Sequence, residues 1–537
     1  MEKENPDNMD YSGRIPPTVE RFCPPRLAKS RFGMTATANY HATEAAAEVL
    51  QAGGNAIDAA VAAGFALGVC EPAASGLGGQ TMMMIHTSDP RRTFALDGSS
   101  RAPHRTPPGK MPKKQRLRGH RATTVPSTPA VLAYALRRYG SMPLGDILSP
   151  AIRLASVGYT VSELQNFLVN RELKHLRAGT AAPLFLKNGL NPYPVGSRFC
   201  QPVLAATFKQ LAQKGIEDFY LGEIAAEIHR DMVDNQGLIR EDDLAQVPWP
   251  IERRPLSCRF MGRRVLTLGP PGAGRVLVEM LNVLDAFSPE RLNPDSPENV
   301  LLLAEIIRRA NLDRQDRPFD PNFYPQIQGR QMVKKEYAKR VALQIRAQLT
   351  IGNDTTHLSV MDRHGNTVAL TQSIEQVFGS FAASPRLGFL YNNYMSAFEF
   401  EDMCHPHYFR PNAVPWASVA PTLVFQGKFP WLAIGSPGSE RIASTIMQVL
   451  LRMHNASPLE AVEAPRLHCS INGKVSLEAA RMHEDIPDLL VRNGYTVDVR
   501  KPYSFYLGCV QMVMKEKGTF IGVADPRRDG SAKGPVS

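Results

Sequence analysis

Two short alternating segments carry the densest hydroxyl chemistry in the chain. Thr355-Thr356-His357-Leu358-Ser359-Val360 and Thr367-Val368-Ala369-Leu370-Thr371-Gln372-Ser373 read as strands, and Asp362-Arg363-His364-Gly365-Asn366 between them is turn chemistry. A hairpin in which Met361 faces Thr367 sets Thr355 opposite Ser373. Leu358, Val360, Val368 and Leu370 then share one apolar face, and Thr355, His357, Ser359, Thr371 and Ser373 share the other. A threonine hydroxyl needs an adjacent base to act as a nucleophile, and threonine is also simply a good strand former. The hairpin alone leaves catalysis and plain sheet structure both open.

Other motifs narrow the chemistry. Gly435-Ser436-Pro437-Gly438-Ser439 joins a strand to a helix, where unpaired N–H groups suit an anion, although a structural turn fits equally well. Gly269-Pro-Pro-Gly-Ala-Gly274 has nearly the glycine spacing of a phosphate cradle. Arg275 and Val276 stand where lysine and Ser/Thr are required, which excludes nucleotide binding of that type. Ser75–Gly79 lies between a helix and a strand, the reverse of the dinucleotide fingerprint, so it predicts close backbone packing. Cys404-His405-Pro406-His407 has no distant partner pair and reads as a loop, so neither metal nor cofactor is expected.

The elements that must position these groups are legible by pattern. Strands are predicted at Met34–Asn39, Thr81–His86, Thr93–Asp97, Leu423–Gln426 and Trp431–Ile434, the last two before the Gly435 turn. Asn55 can cap a helix over Ala56–Val69 that is apolar all round and therefore buried. Further helices are expected at His41–Gln51, Ala130–Tyr139, Pro150–Ser156, Leu204–Lys214, Glu223–Asn235, Arg275–Phe287, Asn299–Leu312 and Arg441–His454. Apolar residues at 43% and charged residues at 21% describe a soluble globular protein. Residues 1–33 read as an extended arm without a secretory signal, and no segment reads as a membrane span. Seven scattered cysteines without CxxC spacing suggest a reducing, cytoplasmic setting. The net charge of +11 is partly concentrated in Arg105–Arg121, with Lys110, Lys113, Lys114, Arg116 and Arg118 and no acid. That stretch lacks aromatic interleaving, which argues against nucleic acid; a solvated loop or attraction of small anions remains.

In combination these motifs resemble the γ-glutamyltranspeptidases and their relatives, the glutaryl/cephalosporin acylases and oxamate amidohydrolases. The matching pieces are His41–Gly54 with Asn55–Ala60, Glu71-Pro72 with Ser75–Gly79, Pro270–Gly274, Thr355–Val360 with Gly365-Asn366, Gly435–Gly438 and Ala524–Gly530. The resemblance implies an α+β fold, a four-layer αββα sandwich of the N-terminal nucleophile hydrolases. It also implies self-cleavage between Asp354 and Thr355 into a large subunit (34–354) and a small subunit (355–537) that stay together as a heterodimer. Thr355 would be the nucleophile and its freed α-amine, with a reference pKa of about 7.7–8.0, the base. Ser373 would orient that amine, and Gly438 and Ser439 would form the oxyanion hole. The resemblance places head-group recognition at Arg101, Glu375, Tyr394 and Ser418. The glutathione-cleaving pattern is not kept throughout: Glu375, Tyr394 and Ala397 stand where the family grips the α-amine. Ser99 stands for its carboxylate-binding arginine with Arg101 two residues on, and Ala417 replaces one of a serine pair of which Ser418 is retained. An acyl group ending in a carboxylate fits better, transferred to water or an amine. The alternatives are a true γ-glutamyl hydrolase or transferase, and an unprocessed binding homologue.

Overall fold

The computed structural model describes residues 26–104, 111–289, 292–316, 335, 337, 355–405 and 407–536. Asp354, the first 25 residues and part of the basic loop lie outside the described residues.

Two seven-stranded sheets form the centre. One runs in the order β19 (Ser531–Lys533), β2 (Gly33–Thr37), β10 (Thr356–Asp362), β11 (Thr367–Ser373), β3 (Gln80–Ser88), β4 (Arg91–Asp97), β7 (Ile251–Arg253). The other runs β1 (Leu27–Ser30), β18 (Thr519–Ala524), β17 (Gln511–Glu516), β13 (Phe429–Gly435), β12 (Thr422–Gln426), β9 (Arg263–Thr267), β8 (Leu256–Phe260). Every pairing within both is antiparallel. A two-stranded ribbon, β5 (Tyr159–Thr160) with β6 (Arg198–Phe199), and a small sheet of β14 (Leu467–Cys469), β15 (Lys474–Leu477) and β16 (Thr496–Val499) lie outside these.

Side-chain alternation explains the layering. Met82 and Met84 on β3, with Met34, Met361 and Ala369, point inward to Leu423, Phe425, Ala433 and Val513 of the facing sheet. Met83 and Ile85, with Leu358, Val360, Val368 and Leu370, point outward into a helical layer. A second helical layer, Gly274–Asp285, Pro297–Asp316 and Arg441–Arg452, covers the other sheet through Val265, Leu432 and Met512. Helix, sheet, sheet and helix are therefore stacked in that order, as the family resemblance implies.

In the first layer α1 (Tyr40–Gln51) and α2 (Ala56–Cys70) do most of the covering. Every residue of α2 except Gly68 is buried, and Asn55 and Asp58 close a capping box at its start. Pro72 bars continuation beyond Glu71.

Two expectations need correction. Residues 27–30, placed in the N-terminal arm, form edge strand β1 against β18, and the Arg26 guanidinium holds the Asp525 and Arg528 carbonyls at 2.7 and 2.9 Å. The helix expected to begin at Pro150 begins at Leu144 and carries the proline inside it, because Ile147, Leu148, Ala151 and Ala155 make one buried face. The six strands after residue 466 had no expectation.

Candidate active site

The β10–β11 ladder pairs Met361 with Thr367 and Thr356 with Gln372. Continuing that register by one residue sets Thr355 opposite Ser373, as the alternation predicts. Thr355 itself is buried, with 3% of its surface exposed. The Ser373 Oγ accepts the Glu375 N–H at 2.9 Å, which helps hold Glu375 at a left-handed φ of 78°. Burial raises the Tyr394 phenol well above its ordinary range, the Glu375 charge adds to this, and hydrogen bonding from Ser373 partly offsets it. Ser373, Glu375 and Tyr394 are thus one cluster.

Arg101 joins the cluster through the backbone. Ser373 pairs with Gln80 across β11 and β3, and the Gln80 Oε1 accepts the Ser100 N–H at 2.8 Å. Thr124 bridges the Ser100 Oγ (2.8 Å) and the Asn392 Oδ1 (2.9 Å), and Asn392 in turn accepts the Tyr394 N–H at 3.1 Å. The Arg101 carbonyl accepts the Val125 N–H at 2.8 Å. Its guanidinium, half-buried, makes no hydrogen bond or ion pair with any described residue. Ser99, by contrast, is engaged by Asp97 at 2.5 Å.

The Gly435–Ser439 turn comes from the facing sheet. Gly438 has φ 120° and Ser439 φ 54°, consecutive left-handed residues that turn their N–H groups away from the backbone ladder. Neither N–H has a partner among the described residues. The Ser439 Oγ lies 3.3 Å from the Ser418 Oγ. A side chain at Gly438 would stand 3.1 Å from the Gly508 Cα, so the loop closing on it needs glycine. Gly272 performs a related service, because its turn hands Pro271 O to the Ala417 N–H and takes the Val419 carbonyl on Ala273. The glycine run rejected as a nucleotide cradle therefore braces Ser418. The Ser75–Gly79 run likewise serves backbone packing: a Cβ at Gly78 or Gly79 would collide with the carbonyls of Leu390 or Ser373.

His357 links the two halves. Its ring lies between the sheets, 2.8 Å from the Thr371 Oγ1 and 3.1 Å from the Ser359 Oγ, directly against Gly435. Complete burial lowers its pKa to about 3, so the ring is neutral at working pH. The residue two past Thr355 thus seats the residue at the root of the Gly438 turn.

Sequence reasoning gave His357 a face but no role, and it gave Glu71 only as part of a motif. The Glu71 carboxylate accepts the Thr356 hydroxyl at 2.5 Å and pairs with Arg528. The signal was a carboxylate at the C-cap of a buried helix, where a negative charge opposes the helix dipole and requires a cationic partner. Cys404, His405 and His407 do not form a ligand cluster; among the described residues the group close enough to share an ion is His104, Asp242 and Asp243, in which Asp243 caps a helix.

The whole chain can be placed by comparison. The family model described as Gamma-glutamyltranspeptidase matches residues 42–534. A glutathione hydrolase proenzyme of Escherichia coli is 31% identical over 93% of this chain and 91% of its own. An acylase ACY 1 proenzyme of Pseudomonas sp. is 32% identical over 96% of both. The crystal structure of a cephalosporin acylase from Bacillus halodurans superposes with a TM-score of 0.87 at 27% identity, covering 97% of this chain and 99% of that one. The fold and these relatives define an amide hydrolase or acyltransferase of the N-terminal nucleophile type. The chain belongs to the γ-glutamyltranspeptidase family.

Proposed function

We propose that the protein is cut by its own Thr355 and then hydrolyses or transfers a small acidic acyl group through an ester on that residue. The Thr355 Oγ attacks the amide carbonyl, its proton passes to the freed α-amine and on to the departing amine, and the C–N bond breaks. Water or an amine then takes the acyl group, and the hydroxyl is restored. In the precursor the same hydroxyl would attack the carbonyl of Asp354, and hydrolysis of the resulting ester would free the amine. Ser373 orients the amine, and Gly438 and Ser439 hold the oxyanion.

The observation that carries this reading is the pair of partnerless N–H groups at Gly438 and Ser439, on a loop rooted on the strand that His357 touches. Removing one donor of such a pair typically lowers kcat ~10²–10³-fold.

For the head group, the unengaged Arg101 guanidinium and Ser418 favour a terminal carboxylate on the acyl chain. The exposed Lys113, Lys114 and Arg118 flank the Tyr394–Ala397 turn, whose neighbour Asn393 bonds the Leu117 carbonyl at 3.1 Å, and favour an anion too. Ala397 leaves an α-ammonium without one of the acids that would otherwise hold it. Glu375 supports a second reading, a γ-glutamyl substrate whose ammonium it would pair. The relatives named glutathione hydrolase agree with that second reading, and those named acylase with the first.

Turnover of γ-glutamyl-anilide against glutaryl- and oxamic-type amides separates the two. The first reading expects the glutaryl or oxamic compound to win, and preference for the glutamyl anilide overturns it. Thr355→Ala should leave one full-length band on a denaturing gel and no activity. Two bands in that variant would mean that another residue makes the cut.

A further inference from the structure

The described elements fix β10 to α2 at both of its ends. At one end the Asp362 carboxylate accepts the Ala56 N–H at 2.9 Å, the first helical residue of α2. There the carboxylate meets the positive end of the helix. At the other end Glu71, the C-cap of α2, accepts the Thr356 hydroxyl at 2.5 Å. From β11, Gln372, the partner of Thr356, donates its Nε2 to the carbonyl of Gly64 midway along α2 at 2.9 Å. A strand of seven residues spans about 23 Å and a helix of fifteen about 22 Å, so the two bolts fall at matching heights without bending either element.

This inference rests on the proposed cut before Thr355. We propose that Glu71 is the positioning residue for the nucleophile: with Arg528 it clamps Thr356 and sets the electrostatic surroundings of the amine that the cut frees. Glu71 lies on the large-subunit side of the cut, and Thr356 and Arg528 lie on the small-subunit side. The clamp therefore crosses the new subunit boundary one residue from the reacting hydroxyl. Both members are largely enclosed, with side-chain exposures of 11% for Glu71 and 2% for Arg528, so their charges are weakly screened.

Other titratable groups around the clamp do not replace it. Burial pushes the Cys70 thiol up, with Glu71 adding to the effect, and burial with Asp525 does the same for Cys509. Both remain neutral. His357 and Tyr394 are neutral as well. Asp525 is matched by Arg466 and Arg527, and Asp529 is bonded to Ser162. The charges left at the junction are Glu71 and Arg528, with Arg26 and Asp529 beside Arg528 and Glu375 beyond the end of β11. Arg26 and Asp529 are unchanged in every variant below, so they offset the limb equally in all of them.

Consecutive residues are 3.8 Å apart, so the Thr355 amine stands within about 10 Å of both members of the clamp. Removing the carboxylate leaves the guanidinium to oppose the ammonium, and removing the guanidinium does the reverse.

The test measures kcat against pH after a denaturing gel and N-terminal sequencing have shown the cut. Glu71→Gln should move the acid limb down by about 0.5–1 unit, Arg528→Gln should move it up by a similar amount, and the double variant should return it near its starting position. Glu71→Asp keeps the charge but shortens the reach. It should lower kcat about tenfold or more, with KM and the limb unchanged. Limbs that stay fixed in the processed single variants, or full kcat in Glu71→Asp, overturn the inference. If the Gln variants do not fold, Glu71→Asp decides alone. Absence of the cut or of activity in the wild-type chain refutes instead the reading on which the clamp rests.

Discussion

Gly435→Ala tests whether the strand that begins beside Thr355, the proposed nucleophile, and the turn proposed to hold the oxyanion are seated on one another. A Cβ at this position would lie 2.6 Å from the His357 Nε2 and closer still to Cε1 and Nδ1. Carbon and nitrogen need well over 3 Å, so one partner must move. The ring is pinned by hydrogen bonds of 2.8 Å to Thr371 and 3.1 Å to Ser359, and it is fully buried. Gly435 is pinned by its pairing with Gln511 on β17. Overpacking of this kind costs about 1–3 kcal/mol, and pulling the ring from one hydrogen bond adds about 1–3 kcal/mol. The expected loss is therefore about 2–6 kcal/mol in urea unfolding. A displacement of even part of an ångström three residues before Gly438 should also lower kcat about 10–100-fold. The double variant Gly435→Ala/His357→Ser removes the ring that is struck, so its loss should fall at least 1 kcal/mol short of the sum of the single losses. Additive losses, or a Gly435→Ala protein with unchanged stability and kcat, would refute the seating.

Two other predictions concern stability. Arg527 and Glu478 are both fully buried and paired at 2.6 Å, with Asp525 at 3.1 Å on the other side of the guanidinium. Arg527→Met should cost about 1.5–3 kcal/mol, measured by the urea midpoint, because it takes charged hydrogen bonds from two buried carboxylates that each keep one cation, Arg466 for Asp525 and Arg481 for Glu478. Acid should destabilise the chain below neutrality: burial holds His41, His86 and His407 near a pKa of about 4 and His357 near about 3, against 6.5 when unfolded. The unfolded state therefore binds more protons between those values, so the contribution is complete above pH 6.5 and is lost as pH falls toward 3; at pH 5 His357 alone should remove about 2 kcal/mol relative to pH 7, and a urea midpoint that does not fall would contradict its burial as a neutral ring.

The hairpin was legible because it is local. Alternation sets its faces, and a five-residue turn sets its register, so the position of Thr355 against Ser373 follows from sequence alone. The all-round apolar helix Ala56–Cys70 and the strand-to-helix turn at Gly435–Ser439 were legible for the same reason. What could not be read were contacts whose partners are hundreds of residues apart. Thr356 meets Glu71 across 285 positions, and Glu71 meets Arg528 across 457. Edge strand β1 is four residues long and its partner is at the far end of the chain, so no periodicity could mark it. Pro150 misled because a proline usually opens a helix, whereas here the buried face of Leu144–Val157 outweighs the lost N–H.

The sheet order bears on what a cut before Thr355 could do. In one sheet β10 and β11, both after the cut, lie between β2 and β3, both before it, and β19 from the end of the chain closes the far edge beside β2. In the other sheet β8 and β9 from before the cut pair onto β12 from after it. The two products would thus be interleaved through five ladders, β1–β18, β2–β10, β2–β19, β3–β11 and β9–β12. Separating them would strip the central strands of both their hydrogen bonds and their apolar cover. Cleavage there would free an amine without freeing a subunit, and the strand whose end would carry the proposed nucleophile is fully buried along its length. A rigid position is what a threonine with only its own amine for a base requires, since neither group can be brought into line by a mobile partner.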